Sequence, residues 1–439
     1  MSLPVVAVVG RPNVGKSTFF NRVLGRRLAI VDDRPGVTRD RNFAKVDWAG
    51  HPFILVDTGG ILEASDRPLD DLVRVQALRA VDEADVIVLL VDGKEGVHPM
   101  DGQLADRLRK TEKPVLLVVN KMDNLPDITA HHEFWSLGLG EPLPVSAISG
   151  KGSGDLLDRI VAEFPTGETP EDDPGTIRVA VIGKPNVGKS SLVNRLFGEE
   201  RVVVSDEAGT TRDPVDSRMQ YHGKTLVFVD TAGLRRQSRI DDDIEYYSSV
   251  RTARVVEEAD VCLALVDGTE EIHHQDLRVL EQAWRAGAGV CLLVNKWDLV
   301  EKETGTTAEF MRRARERTPF QKWVPFLFVS ALTGQRVRKA LDLILEVEEQ
   351  RHRRIATAEV NQVLQHLAHR QPPPHFRGRE VRFKYATQTG VAPPRFVLFS
   401  NFPKGVPAHY LRYILNGFRE AWGFHGTDIR VHIRSSSSS

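Results

Sequence analysis

The sequence predicts an α/β chain. A mostly parallel sheet flanked by helices occurs twice and is followed by a small αββαβ domain. Three observations carry that reading. GRPNVGKST at Gly10–Thr18 returns as GKPNVGKSS at Gly183–Ser191, 173 residues later. Short Val-rich runs alternate with longer amphipathic stretches in both copies, the pattern of βαβ units with helices on both sheet faces. The charge then changes sign. Residues 351–439 carry 14 Lys and Arg against 4 Asp and Glu, a net of +10; the first 350 residues carry 45 against 56, a net of −11.

The repeat is a duplicated domain. Thr38 in GVTRD matches Thr211 in GTTRD, and DTGG (Asp57–Gly60) matches DTAG (Asp230–Gly233), both at an offset of 173. NKMD (Asn120–Asp123) matches NKWD (Asn295–Asp298) at 175, and VSA at Val145–Ala147 returns at Val329–Ala331 at 184. A fixed order with a drifting offset means loop insertions within one architecture. A period one domain long excludes a solenoid.

In the first copy Pro4–Val9, Pro52–Val56, Val86–Val91 and Val115–Val119 read as buried parallel strands. Pro52–Val56 fits an antiparallel edge hairpin through Ala49-Gly50 as well. Lys16–Leu24 and Pro68–Ala84 read as helices. The second copy repeats the strands at Arg178–Ile182, Thr225–Val229, Val261–Val266 and Val290–Val294. Phe164–Gly175 holds three prolines and a run of acids, so it reads as a flexible linker. Helix Gln335–Glu349 closes the second copy near Gln350. In the basic segment Thr357–Arg370 and Pro407–Ala421 read as helices, Gln371–Pro374 as a break, and Glu380–Thr387, Arg395–Ser400 and Asp428–Ile433 as strands. The domains are read as 1–163, a linker 164–176, 177–350, 351–434 and a disordered serine tail 435–439.

Composition narrows the class. The chain is 41% hydrophobic and 27% charged, which excludes general disorder. No apolar run approaches the roughly 20 residues needed to span a bilayer, and MSLPVVAVVG reads as a first strand rather than a signal peptide. With only Cys262 and Cys291, a disulfide framework or a cysteine zinc site is excluded, and both read as core residues on adjacent strands. His273-His274 are assigned no metal. A cytoplasmic home and a monomer are expected. The basic segment, with half of the 14 histidines, points to a polyanion partner, expected to be nucleic acid.

The motifs carry nucleotide chemistry. G-x-x-x-x-G-K-[ST] occurs as Gly10-Arg11-Pro12-Asn13-Val14-Gly15-Lys16-Ser17-Thr18 and as Gly183-Lys184-Pro185-Asn186-Val187-Gly188-Lys189-Ser190-Ser191. Its glycines let backbone N–H groups face phosphate oxygens, Lys16 and Lys189 reach the β- and γ-phosphates, and the Ser17 and Ser190 hydroxyls suit Mg²⁺. Asp57 and Asp230 stand at apolar strand ends, 41 residues past those lysines, where a carboxylate can hold Mg²⁺ through water. In Asp57-Thr58-Gly59-Gly60 and Asp230-Thr231-Ala232-Gly233 the N–H of Gly60 or Gly233 can meet the γ-phosphate. Thr38 and Thr211 can complete the Mg²⁺ shell. Asn120-Lys121-Met122-Asp123 and Asn295-Lys296-Trp297-Asp298 end a fifth apolar strand. Asp123 and Asp298 can accept two hydrogen bonds from guanine that adenine cannot offer in that arrangement. Ser146-Ala147 and Ser330-Ala331 suit a further base contact. The residue after the second glycine is apolar, Ile61 or Leu234, where many GTPases use a glutamine to orient water. Asn13 and Asn186 could bind a monovalent cation beside the phosphates, or serve only as Pro-Asn turns.

Two complete motif sets in tandem, an acidic linker, a basic tail and the stretch KYATQTG (Lys384–Gly390) resemble the bacterial Der (EngA) GTPases over nearly the whole chain. The resemblance implies two P-loop GTPase domains and a KH-like third domain between them. It implies GTP hydrolysis with Mg²⁺ and action on the large ribosomal subunit and its rRNA. It also implies potassium-stimulated hydrolysis through Asn13 and Asn186. The third domain is expected to lack a G-x-x-G clamp and to meet RNA by another face. Two alternatives stand beside this reading: a tRNA-modification GTPase, disfavoured by the duplication, and a nucleotide-gated RNA-binding adaptor with little turnover.

Overall fold

The computed structural model describes residues 3–25, 43–58, 81, 84–123, 132–164, 175–198, 203–204, 216–231, 245–301, 306–317 and 321–435. The chain divides into two units, Met1–Pro170 and Glu171–Ser439.

The first unit contains β1 (Val5–Val9), α1 (Lys16–Val23), β2 (Phe43–Trp48), β3 (His51–Asp57), β4 (Val86–Asp92), α2 (Pro99–Leu108), β5 (Val115–Asn120), β6 (Leu143–Pro144) and α3 (Ser153–Ala162). They form a sheet in the order β2-β3-β1-β4-β5-β6. Val, Ile and Leu fill β4 on both faces, and every one of its residues is buried, as a sheet covered by helices on both sides requires. Both readings of Pro52–Val56 turn out to hold in part. Its strand β3 pairs with β2 through the Ala49-Gly50 turn, antiparallel, and with β1, parallel. The edge of the sheet is therefore β2. The expected helix Pro68–Ala84 lies almost wholly outside the described residues.

The second unit repeats the plan with β7 (Ile177–Ile182), α4 (Lys189–Phe197), β8 (Val203–Val204), β9 (Ser217–Tyr221), β10 (Lys224–Phe228), α5 (Glu245–Glu258), β11 (Val261–Asp267), α6 (His274–Ala286), β12 (Gly289–Asn295), α7 (Thr306–Arg317), β13 (Phe326–Phe328) and α8 (Lys339–His352). Its sheet runs β13-β12-β11-β7-β10-β9-β8. Cys262 and Cys291 are buried on the paired strands β11 and β12, and burial pushes the Cys262 thiol up to about 12. The expected boundary after Gln350 falls inside α8.

The C-terminal module follows as α9 (Thr357–Arg370), β14 (Phe383–Gly390), β15 (Arg395–Ser400), α10 (Ala408–Trp422) and β16 (Arg430–Ser435), the expected αββαβ order. Ser435 ends β16 and pairs with Ser400, so only Ser436–Ser439 of the expected tail lie outside the described residues. Tyr410, Ile414, Phe418 and Trp422 recur every four residues and are all buried on one face of α10. A Cβ on Gly417 would stand 2.5 Å from Leu367 of α9, so this glycine sets how closely the two helices pack.

This module is built onto the second nucleotide-type domain. Val290 N–H at the start of β12 donates to Gly426 O (2.6 Å), and Gly426 N–H donates to Trp323 O (2.8 Å). The expectation of no G-x-x-G turn is thereby corrected: Gly423-Phe424-His425-Gly426 has that pattern. A Cβ on Gly426 would lie 2.6 Å from Val347. The turn is thus occupied by the second domain rather than offered to RNA.

Candidate nucleotide-binding sites

The candidate residues converge at the carboxyl ends of parallel strands, where open α/β sheets place ligands. β1 runs into the Gly10 loop, Asp57 ends β3 and Asn120 ends β5. The loop is tight. Gly10 and Gly15 take φ of 153° and 96°, and Gly183 and Gly188 take 143° and 95°. An added Cβ would meet Leu90 O or Asn120 Nδ2 at 2.3 Å in the first copy, and Leu265 O or Asn295 Nδ2 at 2.4 and 2.3 Å in the second. Only glycine fits.

The helices behind the loops are left open for an anion. α1 and α4 begin after Gly15 and Gly188, with no side-chain cap and no acid in the first turn. By contrast α2 is closed by a capping box between His98 and Asp101. Uncapped N–H groups and the helix dipole favour a phosphate. Lys16 Nζ donates to Gly10 O and Arg11 O, both at 2.8 Å, and a phosphate oxygen can take its third donor. Burial pushes this ammonium down to about 8, against the pull of Asp57. Lys189 repeats the geometry on Gly183 O and Lys184 O at 2.8 and 2.6 Å.

Asn120 and Asn295 join the two ends of each site. Asn120 Nδ2 donates to Val14 O (2.8 Å), and Ala147 N–H donates to Asn120 Oδ1 (2.9 Å). The second copy matches with Val187 O and Ala331 N–H, at the same distances. Lys121 and Lys296 are left-handed at φ 66° and 58°. Lys121 pairs with Asp92, and Lys296 with Asp267 at 2.6 Å. Met122 and Trp297 are buried beneath these turns.

The carboxylates expected to read the base differ between copies. Asp123 accepts from Ser146 Oγ (2.7 Å) and Lys94 Nζ (2.8 Å), and the Lys94 hydrogen bond holds its carboxyl below the usual range. In the second copy Thr269 stands where Lys94 does and bonds Asp267 instead. Asp298 Oδ1 is buried with no hydrogen-bond partner among the described residues. Asp230, expected to end a strand as Asp57 does, lies two residues beyond β10 at φ 57°. Asn13 and Asn186 are exposed on the loop crests at φ 66° and 62°. Thr38, Gly59, Gly60, Ile61, Thr211, Ala232, Gly233 and Leu234 lie outside the described residues.

Several residues escaped the sequence reading. Arg11 pairs with Asp101 at 3.6 Å, and its counterpart Lys184 with Asp276 at 2.8 Å, so the two loops are braced on the capping acids of α2 and α6. Ile148 and Leu332, 68% and 74% exposed, follow the serine–alanine pairs and can pack on the face of a base. Arg22 and Arg195 reach the same loops. The repeat offsets alone could have marked each pair. Among the described residues no group of three or more His, Cys, Asp or Glu is gathered for a metal.

Comparison with known proteins adds identity to this geometry. A family described as a 50S ribosome-binding GTPase matches residues 5–121 and again 178–296. A family described as the C-terminal KH-domain-like part of EngA bacterial GTPases matches 354–434. The chain is 54% identical over 439 residues to the GTPase Der of Gemmatimonas aurantiaca, covering all of both chains. It is 49% identical to that of Moorella thermoacetica, covering 99% of each. With that of Desulfitobacterium hafniense strain Y51 it shares 48%, covering 99% of this chain and 98% of the relative.

Proposed function

The chain belongs to the GTPase Der family and hydrolyses GTP, and on that premise we propose that it is a nucleotide-controlled factor for assembly of the large ribosomal subunit. Residues 1–163 and 177–350 each serve as a G domain, and the basic KH-like segment 351–434 meets rRNA. The protein acts in the cytoplasm as a monomer; among the described residues no helix is long and apolar enough to cross a membrane.

In each G domain the glycine loop and the first turn of the following helix hold the phosphates, and Lys16 or Lys189 counters the charge between them. Asp123 and Asp298 read guanine, with the serine–alanine loops at the base. The residues present fit Mg²⁺: the Ser17 hydroxyl is exposed in the first turn of α1, and Asp57 is close enough to Lys16 to act on its proton. Ser17, Thr38 and Asp57, and Ser190, Thr211 and Asp230, would hold the ion. When bound it neutralises charge that builds on the transferred phosphoryl group.

With Ile61 and Leu234 in place of a glutamine, help for the reaction has to come from elsewhere. Asn13 and Asn186 stand exposed beside the phosphate loops, where each amide oxygen can hold K⁺. K⁺ is expected to raise turnover and Na⁺ not to. Asn13→Ala with Asn186→Ala removes the difference; a preserved K⁺ response in a phosphate-release assay returns both asparagines to a turn role.

The observation that carries the ribosomal role is the +10 segment built onto a nucleotide-binding domain at β12. The GTP-loaded chain is expected to co-sediment with large ribosomal subunits and the GDP form not to. Binding should fall with a log–log salt slope of about −0.7 to −0.9 per phosphate neutralised. Equal sedimentation in both loading states, with no salt dependence, removes the proposal.

A further inference from the structure

In both copies the loop bearing the serine–alanine pair is closed largely by its own backbone. Ser146 N–H reaches Lys151 O at 3.0 Å, and Gly150 N–H reaches Ser146 O at 2.7 Å. Ser330 does the same with Gln335 O at 3.1 Å and Gly334 N–H at 2.9 Å. The alanine that follows is held from outside the loop. Its N–H goes to the asparagine already described. Its carbonyl receives Arg22 Nε at 2.9 Å in the first copy and Arg195 Nε at 3.2 Å in the second. Arg195 also donates to Leu332 O. A buried peptide group needs a partner, and here the partner comes twice from the same place. Arg22 and Arg195 stand in the last turn of α1 and α4, the helices whose first residues are Lys16 and Lys189.

We infer that Arg22 and Arg195 are positioning residues for base recognition: each ties the base-reading loop to the helix that holds the phosphates. The inference rests on the base-reading assignment of Asp123 and Asp298. In the first copy the route is complete, because Ser146, next to the tethered Ala147, holds Asp123 through its hydroxyl at 2.7 Å. One helix then sets the distance between the phosphate grip and the base grip. Releasing the alanine carbonyl loosens the base end and leaves the phosphate end in place.

The test uses the full chain with Lys189→Ala, so that only the first site binds, titrated by calorimetry with GDP and with inosine diphosphate, which lacks the exocyclic amine. Arg22→Ala is expected to weaken GDP about tenfold, the worth of one good hydrogen bond, and inosine diphosphate by threefold at most. Arg22→Lys, which can still donate to Ala147 O, should restore most of the loss. Arg195→Ala on a Lys16→Ala background repeats the measurement at an exposed position where folding is not at issue. Unchanged affinity, or equal losses for the two nucleotides, overturns the inference. Asp123→Asn in the same background separates the causes. If it leaves the ratio of the two affinities unchanged, base reading by Asp123 itself fails. If it shifts the ratio and Arg22→Ala does not, only the role of the arginine fails.

Discussion

Asp298→Asn is expected to weaken GDP at the second site by a factor of 10² to 10⁴ and to turn that site toward xanthosine diphosphate. Asp298 Oδ1 is buried and makes no hydrogen bond among the described residues. A buried acceptor without a partner is costly, and two guanine N–H donors remove that cost while making charge-assisted bonds of about 1.5–3 kcal/mol each. An amide at 298 presents a donor to a donor. Xanthine, with an oxygen in place of the amine, reverses the match. Asp123→Asn acts in the same direction by less, because Lys94 already engages Asp123 at 2.8 Å and guanine must compete with it. That exposed pair is screened by salt, so the difference between the two sites should shrink in high salt. Titration of each single variant with both nucleotides measures the effect. Unchanged GDP affinity in both variants removes Asp123 and Asp298 from base reading.

Arg419→Ala is expected to lower stability by about 3–5 kcal/mol, a large share of the 5–15 kcal/mol that typically holds a domain together. Arg419 lies in α10 and is only 6% exposed. Its guanidinium sits 5.2 Å from the Trp284 ring and 5.5 Å from the Trp323 ring, both in the second G domain. Nη1 donates to Phe424 O at 2.9 Å and Nη2 to Thr427 O at 2.7 Å. Alanine takes the guanidinium donor from Thr427 O and leaves Phe424 O with only the long Thr427 N–H contact at 3.4 Å, losses of about 1–3 kcal/mol each, and removes contacts of about 0.5–2 kcal/mol per ring. Arg419→Lys keeps the charge but not the two-pronged geometry, so it should recover less than half. Urea unfolding followed by tryptophan fluorescence gives the number. A loss under about 1 kcal/mol would show that the module docks by other contacts.

The same residue bears on the charge of the basic segment. Arg419 spends its charge inside the protein. Arg351 bonds Asp260 at 3.2 Å, Arg353 bonds Trp422 O and Arg430 bonds Arg285 O, the last two at 2.8 Å. The +10 therefore overstates the charge this segment leaves free for a polyanion. Docking onto the acidic domain proceeds through aromatic rings and backbone carbonyls as much as through carboxylates.

Local structure was legible in the residues alone. The glycine-rich loops, the NKxD turns and the strands Arg395–Ser400 and Val115–Val119 follow from short-range rules: glycine where no Cβ fits, and Val and Leu where the sheet is covered. The in-register repetition made these signals specific. Tertiary structure decided what depends on which segments meet. Whether Pro52–Val56 is an edge or an inner strand is set by a partner 49 residues away, Val5 against Ile54. That Gly423–Gly426 faces a protein strand rather than RNA is set by its bond to Val290. That Arg22 and Arg195 hold the serine–alanine loops depends on pairings over 125 and 136 residues. A sequence pattern records what one segment prefers; the partner that satisfies a buried carbonyl or faces a guanidinium is chosen only when distant segments pack together.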